Sequence, residues 1–187
     1  MKNFFSFLFI CGVVVGQLYA GQPPYYEQVY NTVDEALDDV FTEGSKVKEV
    51  KITISPSTKQ RIEDKLGWEI DEDDLIVYKG YKNSKFTGFA IVLDELGKYY
   101  PITFLTYITP DYKVGDVVVM VYREKIGASI RKKRFLSQFY DKTSKDSLVI
   151  DRDIVGISGA TISSWAISNG VKKALVLTEE LIKDPIL

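Results

Sequence analysis

The sequence predicts an α+β fold in which helices pack on a mostly antiparallel sheet. Four segments rich in β-branched and aromatic residues follow one another between residues 74 and 124, with turn residues between them. The connections are too short for helical crossovers, so consecutive strands are expected to pair as antiparallel neighbours. The flanking segments show helical spacing or begin with helix-capping residues. With 45% hydrophobic residues in a chain of 187, there is enough apolar side chain for a core.

The elements before residue 71 are predicted from caps and periodicity. A helix is predicted over Asn31–Phe41, because Thr32 and an acidic residue three positions later form a capping-box pattern. Lys46–Ile54 alternates charged and apolar residues, which is typical of a strand with one wet face. Ser57 is the predicted N-cap of the next helix, which should end at Gly67.

The middle and the end of the chain complete the fold. The spacing of three large apolar residues predicts a helix over Ser129–Tyr140, in which Arg131–Arg134 form a solvated face or, alternatively, meet a phosphate or a partner. The last helix is predicted from about residue 162 to Leu181, because apolar residues recur on one face. The four strands are predicted at Asp74–Tyr81, Lys85–Leu96, Tyr99–Thr109 and Val114–Glu124.

The first twenty residues have the layout of a secretory signal peptide. Lys2 precedes an apolar run from Phe4 to Val15, and cleavage is predicted after Ala20. The alternative is an uncleaved membrane anchor, for which the run is short and interrupted by glycines. We divide the rest into an N-terminal extension over 21–70 and a main domain over 71–187. The protein is therefore expected in the periplasm or otherwise outside the cytoplasm, with membrane association left open.

Composition excludes several kinds of chemistry. There is no histidine, and Cys11 is the only cysteine. Hydrolysis by a Ser-His-Asp or Cys-His arrangement, covalent c-type haem and a Cys/His zinc site are therefore excluded, and no catalytic or metal-binding residue is predicted. A net charge of -2 makes nucleic acid an unsuitable partner. Redox chemistry in this chain would have to come from an organic cofactor.

The start of the last helix poses the main functional question. A helix N-terminus presents unpaired N–H groups and binds phosphate readily. Serine and threonine are also the ordinary caps of any helix, and spacing alone favours that simpler interpretation. The small and hydroxyl-bearing residues at this point are Ser158, Gly159, Ala160, Thr161, Ser163 and Ser164.

The motif S-G-A-T at 158–161, followed by an amphipathic helix, resembles the FMN-binding domain family. That family includes the flavin-carrying subunits of the Rnf and sodium-pumping NADH:quinone oxidoreductase complexes and the periplasmic domain of a nitrous-oxide-reduction regulator. The segment 121–142, with an F-x-x-Q-F pattern at 135–139, is also similar, as is the predicted hairpin before it. At one position the chain departs from the Rnf-type pattern: an Asp stands three residues before the motif Ser there, and Val155 stands here.

The resemblance implies a cofactor, a maturation step and redox partners. FMN would be joined by a phosphoester to Thr161, and a dedicated FAD:protein FMN transferase would attach it after export. The resemblance also implies that residues 158–160 form the turn on the phosphate side. The cofactor-binding residues that we carry over are Thr161, Ser158, Gly159, Ala160, Ser163, Ser164, Glu124 and Gly127.

Two functions follow from these expectations. The first is an exported electron-transfer flavoprotein that shuttles electrons between membrane and periplasmic redox proteins. The alternative is a non-redox periplasmic sensor or accessory module that binds a ligand in the same place. A flavin enzyme acting on a small molecule is less well supported, because the sequence offers no acid, base or substrate-positioning group. We therefore expect an electron carrier rather than a substrate-converting enzyme.

Overall fold

The computed structural model describes residues 26–182, so the predicted signal segment lies outside the described residues. The fold is α+β, as predicted. Its six strands form one antiparallel sheet in the order β1-β6-β5-β4-β3-β2. The strands are β1 (Gln28–Val29), β2 (Lys46–Thr53), β3 (Asp74–Lys82), β4 (Lys85–Leu96), β5 (Pro101–Ile108) and β6 (Val114–Tyr122).

In the described part of the chain, four α-helices accompany the sheet: α1 (Val33–Val40), α2 (Pro56–Leu66), α3 (Lys133–Leu136) and α4 (Thr161–Leu181). The predicted capping box of α1 is present, with the Thr32 hydroxyl accepting from the Glu35 N–H and the Glu35 carboxylate accepting from the Thr32 N–H. The predicted cap of α2 is wrong. Ser55, not Ser57, accepts from the Thr58 N–H at 3.2 Å. The position between them is proline, which suits the first turn of a helix better than its interior.

The segment predicted as one helix over Ser129–Tyr140 is a chain of short turns. A 3₁₀ turn over Ala128–Arg131 precedes α3, and a second over Ser137–Phe139 follows it. The break falls at Lys132, whose backbone is extended at φ -70° and ψ 136°. The predicted apolar residues are nevertheless buried, so the periodicity detected burial rather than continuous helix.

The sheet has two unequal faces. The larger core lies beneath α2 and α4, and it includes most of the buried side chains of β4, β5 and β6. A smaller cluster lies beneath α1 on the other face. The strand before residue 70, β2, pairs along its whole length with β3 after it. The boundary between extension and main domain therefore stays a prediction within one continuous sheet.

Within residues 26–182, none of the helices combines the length and the apolar character needed to cross a membrane. The feature that bears on function is the meeting of three elements at one end of the sheet. The turn after β4, the end of β6 and the first turn of α4 come together there. They enclose a cleft.

Candidate functional site

The cleft at this end of the sheet has a volume of about 990 Å³. Its size suits a small organic ligand or cofactor. One wall comes from the turn after β4, a second from the segment after β6, and a third from the start of α4. The lining residues are Tyr26, Lys98, Tyr99, Tyr100, residues 123–126 and residues 159–163.

The first turn of α4 is not capped by a side chain. Its N-cap is Ala160, with φ -135° and ψ 33°. Among the described residues, no atom accepts a hydrogen bond from the N–H groups of Thr161, Ile162 and Ser163. The exposed Thr161 hydroxyl likewise has none within the described part of the chain. The simpler interpretation of the hydroxyl cluster, that one of these residues caps the helix, therefore does not hold.

Two of the predicted hydroxyls have structural partners instead. The fully buried Ser164 hydroxyl accepts from the Ile157 N–H at 3.1 Å and donates to the Ala160 carbonyl at 2.9 Å. The Ser163 hydroxyl lies 3.2 Å from the Tyr122 hydroxyl. Ser164 therefore holds the loop before α4 in shape, whereas the Thr161 hydroxyl is exposed and has no hydrogen-bond partner among the described residues.

The loop before α4 is pinned at a second point by Gln138. The Gln138 side chain accepts from the Val155 N–H at 2.8 Å and donates to the Val155 carbonyl at 3.1 Å. Upstream, the Asp153 carboxylate accepts from the Ser147 hydroxyl and from the Val149 N–H. The Ser147 hydroxyl, with Arg152 and this amide, holds the pKa of Asp153 well below its usual range. The loop is thus held through the Val155 peptide.

Glu124 and Gly127 hold the walls of the cleft in place. The buried Glu124 carboxylate accepts from the N–H groups of Tyr99, at 2.6 Å, and Tyr100, at 3.2 Å, and so fixes the turn after β4. Gly127 has φ +99°, and a Cβ there would lie 2.5 Å from the Tyr122 hydroxyl oxygen and 2.9 Å from the Ala160 Cβ. Only glycine lets the segment after β6 close against the start of α4.

Tyr122 contacts both the segment after β6 and the first turn of α4. Its ring is fully buried, and its hydroxyl donates to the Ile126 carbonyl at 2.5 Å. Burial raises the pKa of the Tyr122 hydroxyl, so it stays a protonated donor at neutral pH. The end of β6, the segment after it and the first turn of α4 therefore share one buried contact.

The mouth of the cleft is apolar and carries positive charge. Tyr99 is 66% exposed, Ile126 76% and Ile162 48%. The Lys98 ammonium lies 5.0 Å from the centre of the Tyr99 ring. Large apolar side chains left open in one place usually mark a ligand or partner surface.

The structure gathers some of the predicted site residues and leaves others aside. Ser158, Ser164 and Gly127 do not line the cleft, although the last two support its walls. Other lining residues were not predicted from the sequence, since their only signal was an unusual apolar, aromatic or basic residue in a connecting segment; they include Tyr26, Lys98 and Ile126. The predicted site residues that line the cleft are Gly159, Ala160, Thr161, Ser163 and Glu124.

Comparisons with known proteins bear on this site. Residues 97–176 match the family model of the FMN-binding domain. The chain is 33% identical over 106 residues to a subunit of the proton-translocating ferredoxin:NAD(+) oxidoreductase complex of Clostridium ljungdahlii, covering 52% of this chain and 57% of the relative. It is 25% identical over 134 residues to a subunit of the Na(+)-translocating ferredoxin:NAD(+) oxidoreductase complex of Acetobacterium woodii, covering 66% and 65%. The chain thus spans less than two thirds of the length of each relative.

A solved structure shows the same fold. The crystal structure of Shewanella oneidensis NqrC aligns with a TM-score of 0.54 at 17% identity, covering 79% of this chain and 87% of that one. At this identity the likeness concerns the fold.

Proposed function

We propose that the chain, in which residues 97–176 match the family model of the FMN-binding domain, is an exported electron-transfer flavoprotein that carries FMN on Thr161. One observation carries the proposal. The first turn of α4 opens into the cleft with three N–H groups and a threonine hydroxyl that have no partner in the described structure. Such a turn suits a phosphate, and a free hydroxyl within it suits a phosphoester.

The phosphate end of FMN fits the residues present. Gly159 has φ +78°, and nothing lies within 4 Å of the position that a Cβ would take. The turn before Thr161 is therefore bare on its outer side, which leaves room for a phosphate and its ribityl chain. The partial positive charge of the α4 N-terminus favours the anion, and Lys98 and Lys125 add positive charge at the cleft.

The ring end also fits. Tyrosine side chains and the apolar Ile126 and Ile162 line the cleft, which gives flat apolar surface for an isoalloxazine. Bound FMN would supply the ability to take up and release one or two electrons. The chain's own residues would bind and orient the group and keep water from its apolar face. Glu124 holds the turn that carries Tyr99 and Tyr100, so its contribution is positional.

The covalent step forms a bond between the Thr161 side-chain oxygen and the FMN phosphorus. With FAD as donor, the bond between the two phosphates breaks, AMP leaves and the threonine proton is released. A partner enzyme, an FAD:protein FMN transferase, would carry out this step after export. The ester would retain the cofactor outside the cytoplasm, and the signal-like residues 1–20 are the reason for placing the protein there.

The relatives support a redox role for the partners. Both are subunits of ferredoxin:NAD(+) oxidoreductase complexes. We propose that this chain exchanges electrons with redox proteins at or near the membrane, through the apolar mouth of the cleft. In the alternative, a sensor or accessory module, the same cleft would hold a noncovalent ligand.

Intact mass spectrometry tests the proposal. The chain is co-expressed with a flavin transferase and exported, beside Thr161→Val, Thr161→Ser and Ser158→Ala. We expect the wild type and Ser158→Ala to gain the mass of FMN less water, and Thr161→Val to gain none. Thr161→Ser keeps a hydroxyl and tests how far the methyl group matters. An unmodified, colourless wild type would reject the covalent flavin and favour the non-redox module.

A further inference from the structure

A second cleft, of about 450 Å³, lies behind the loop that precedes α4. Its floor is apolar, formed by the buried Phe135 and the half-buried Ile157. Lys132 and Arg134 stand at its sides, and no acidic residue of the described chain lines it. The cleft shares no lining residue with the proposed FMN site.

The break in the helix brings the two cations to the same cleft. In a continuous α-helix each residue is rotated by about 100° from the one before it, so side chains two positions apart point to nearly opposite sides of the helix. Lys132 is extended, so the chain changes direction between it and α3. Both side chains consequently line one cleft while remaining exposed to solvent.

The positive charge here is not neutralised by the protein. Arg131 lies over the ring of Tyr30 at 4.5 Å, and residues 132–134 form no ion pair within the described chain. Some other surface lysines do have a carboxylate partner, such as Lys59 with Asp73 at 2.9 Å and Lys113 with Asp111 at 2.7 Å. In a chain of net charge -2, this is a local concentration of unpaired cations beside an apolar floor.

We propose that this cleft binds a phosphate ester that carries an apolar group. Arg134 offers a planar fork and Lys132 a point charge, which together suit phosphate oxygens. Phe135 and Ile157 provide the surface for the apolar part. Val155, 73% exposed on the rim, extends that surface. The ligand class includes the headgroup region of anionic phospholipids and soluble phosphate esters, and the proposal does not depend on FMN.

The test uses the full chain without flavin and two charge-matched double variants. Lys132→Gln with Arg134→Gln removes the cations of the cleft, and Lys48→Gln with Lys145→Gln removes two exposed cations elsewhere. One arm measures co-sedimentation with vesicles of equimolar phosphatidylglycerol and phosphatidylcholine, against phosphatidylcholine alone. The other titrates phenyl phosphate and follows the NMR signals of the amides at 155–157. The cleft variant should bind about tenfold more weakly, and the control variant should match the wild type.

The two arms separate the sources of the phosphate. Binding of phenyl phosphate without anionic vesicles assigns a soluble ligand, and binding of vesicles, lost only in the cleft variant, assigns lipid headgroups. Val155→Asp keeps both cations but places a carboxylate on the rim, so it should also weaken binding. The proposal is overturned if neither probe binds, or if the control variant loses as much binding as the cleft variant.

Discussion

The first turn of α4 and the rest of that helix differ in whether their polar groups have hydrogen-bond or ion-pair partners. In the first turn, the Thr161 hydroxyl and the N–H groups beside it have no partner in the described structure. Farther along, the buried polar side chains are paired. The Ser168 hydroxyl donates to the Leu148 carbonyl, the Thr178 hydroxyl donates to the Ala174 carbonyl, and Lys173 lies between Glu72 and Glu95.

This difference shows how an unsatisfied turn can persist. The middle of α4 approaches the sheet so closely that a Cβ on Gly170 would lie 2.3 Å from the Phe104 ring. Packing and paired polar groups along the rest of the helix fix its position, so the first turn does not need a cap to stay helical. Orientation by the remainder of the helix leaves the N-terminal groups available for a ligand.

The largest effect is expected from breaking the anchored end. Lys173→Met would leave Glu72 and Glu95, 21% and 19% exposed at their side chains, without their shared counter-charge. We expect the free energy of unfolding to fall by about 3 kcal/mol in urea titrations. Lys145→Met, at an exposed position, is the control and should change it by less than about 0.5 kcal/mol. If Lys173→Met is neutral, packing rather than this ion network anchors α4.

The pH dependence of stability refines that test. Burial raises the pKa of Glu95, while Lys173 opposes the rise and Glu72 and Asp94 add to it. Lys173 has two carboxylates, and their attraction outweighs burial and raises its pKa. A raised pKa means that the folded protein holds the Glu95 proton more tightly than the unfolded chain does, so stability rises as pH falls through the folded pKa of Glu95 towards its lower value in the unfolded chain.

Glu95→Gln should remove that gain. Urea unfolding between neutral and mildly acidic pH should show a flatter pH profile for the variant than for the wild type. Because Gln resembles the protonated carboxyl and Glu72 still pairs with the lysine, Glu95→Gln should not lower stability at neutral pH, in contrast to Lys173→Met. Parallel profiles for the two proteins would mean that Glu95 does not titrate differently on folding.

Local sequence patterns predicted the helices and strands, whereas contacts between distant parts of the chain determine how these elements meet around the cleft. The four strands from β3 to β6 and the helix α4 were predicted because alternation and helical spacing are visible within a few residues. The contact between Glu72 and Lys173 joins residues 101 positions apart, and no local pattern encodes it. The break at Lys132 escaped prediction because short turns bury the same apolar residues as a helix. Hydroxyl residues at a helix start predict a cap, but only the structure shows whether a cap is made.

The smallest expected effect on stability tests whether the hydroxyl residue at the start of each helix forms a cap. Thr32 caps α1, so Thr32→Ala should lower the free energy of unfolding by about 1 kcal/mol. Thr161 begins the same kind of helical run but caps nothing, so Thr161→Val should change the stability of the unmodified chain by less than about 0.5 kcal/mol. Urea titrations of the two variants measure this difference directly. A loss at Thr161 equal to that at Thr32 would mean that the Thr161 hydroxyl acts as a helix cap after all. The first turn of α4 would then offer no free hydroxyl for a phosphoester, even if the protein binds flavin.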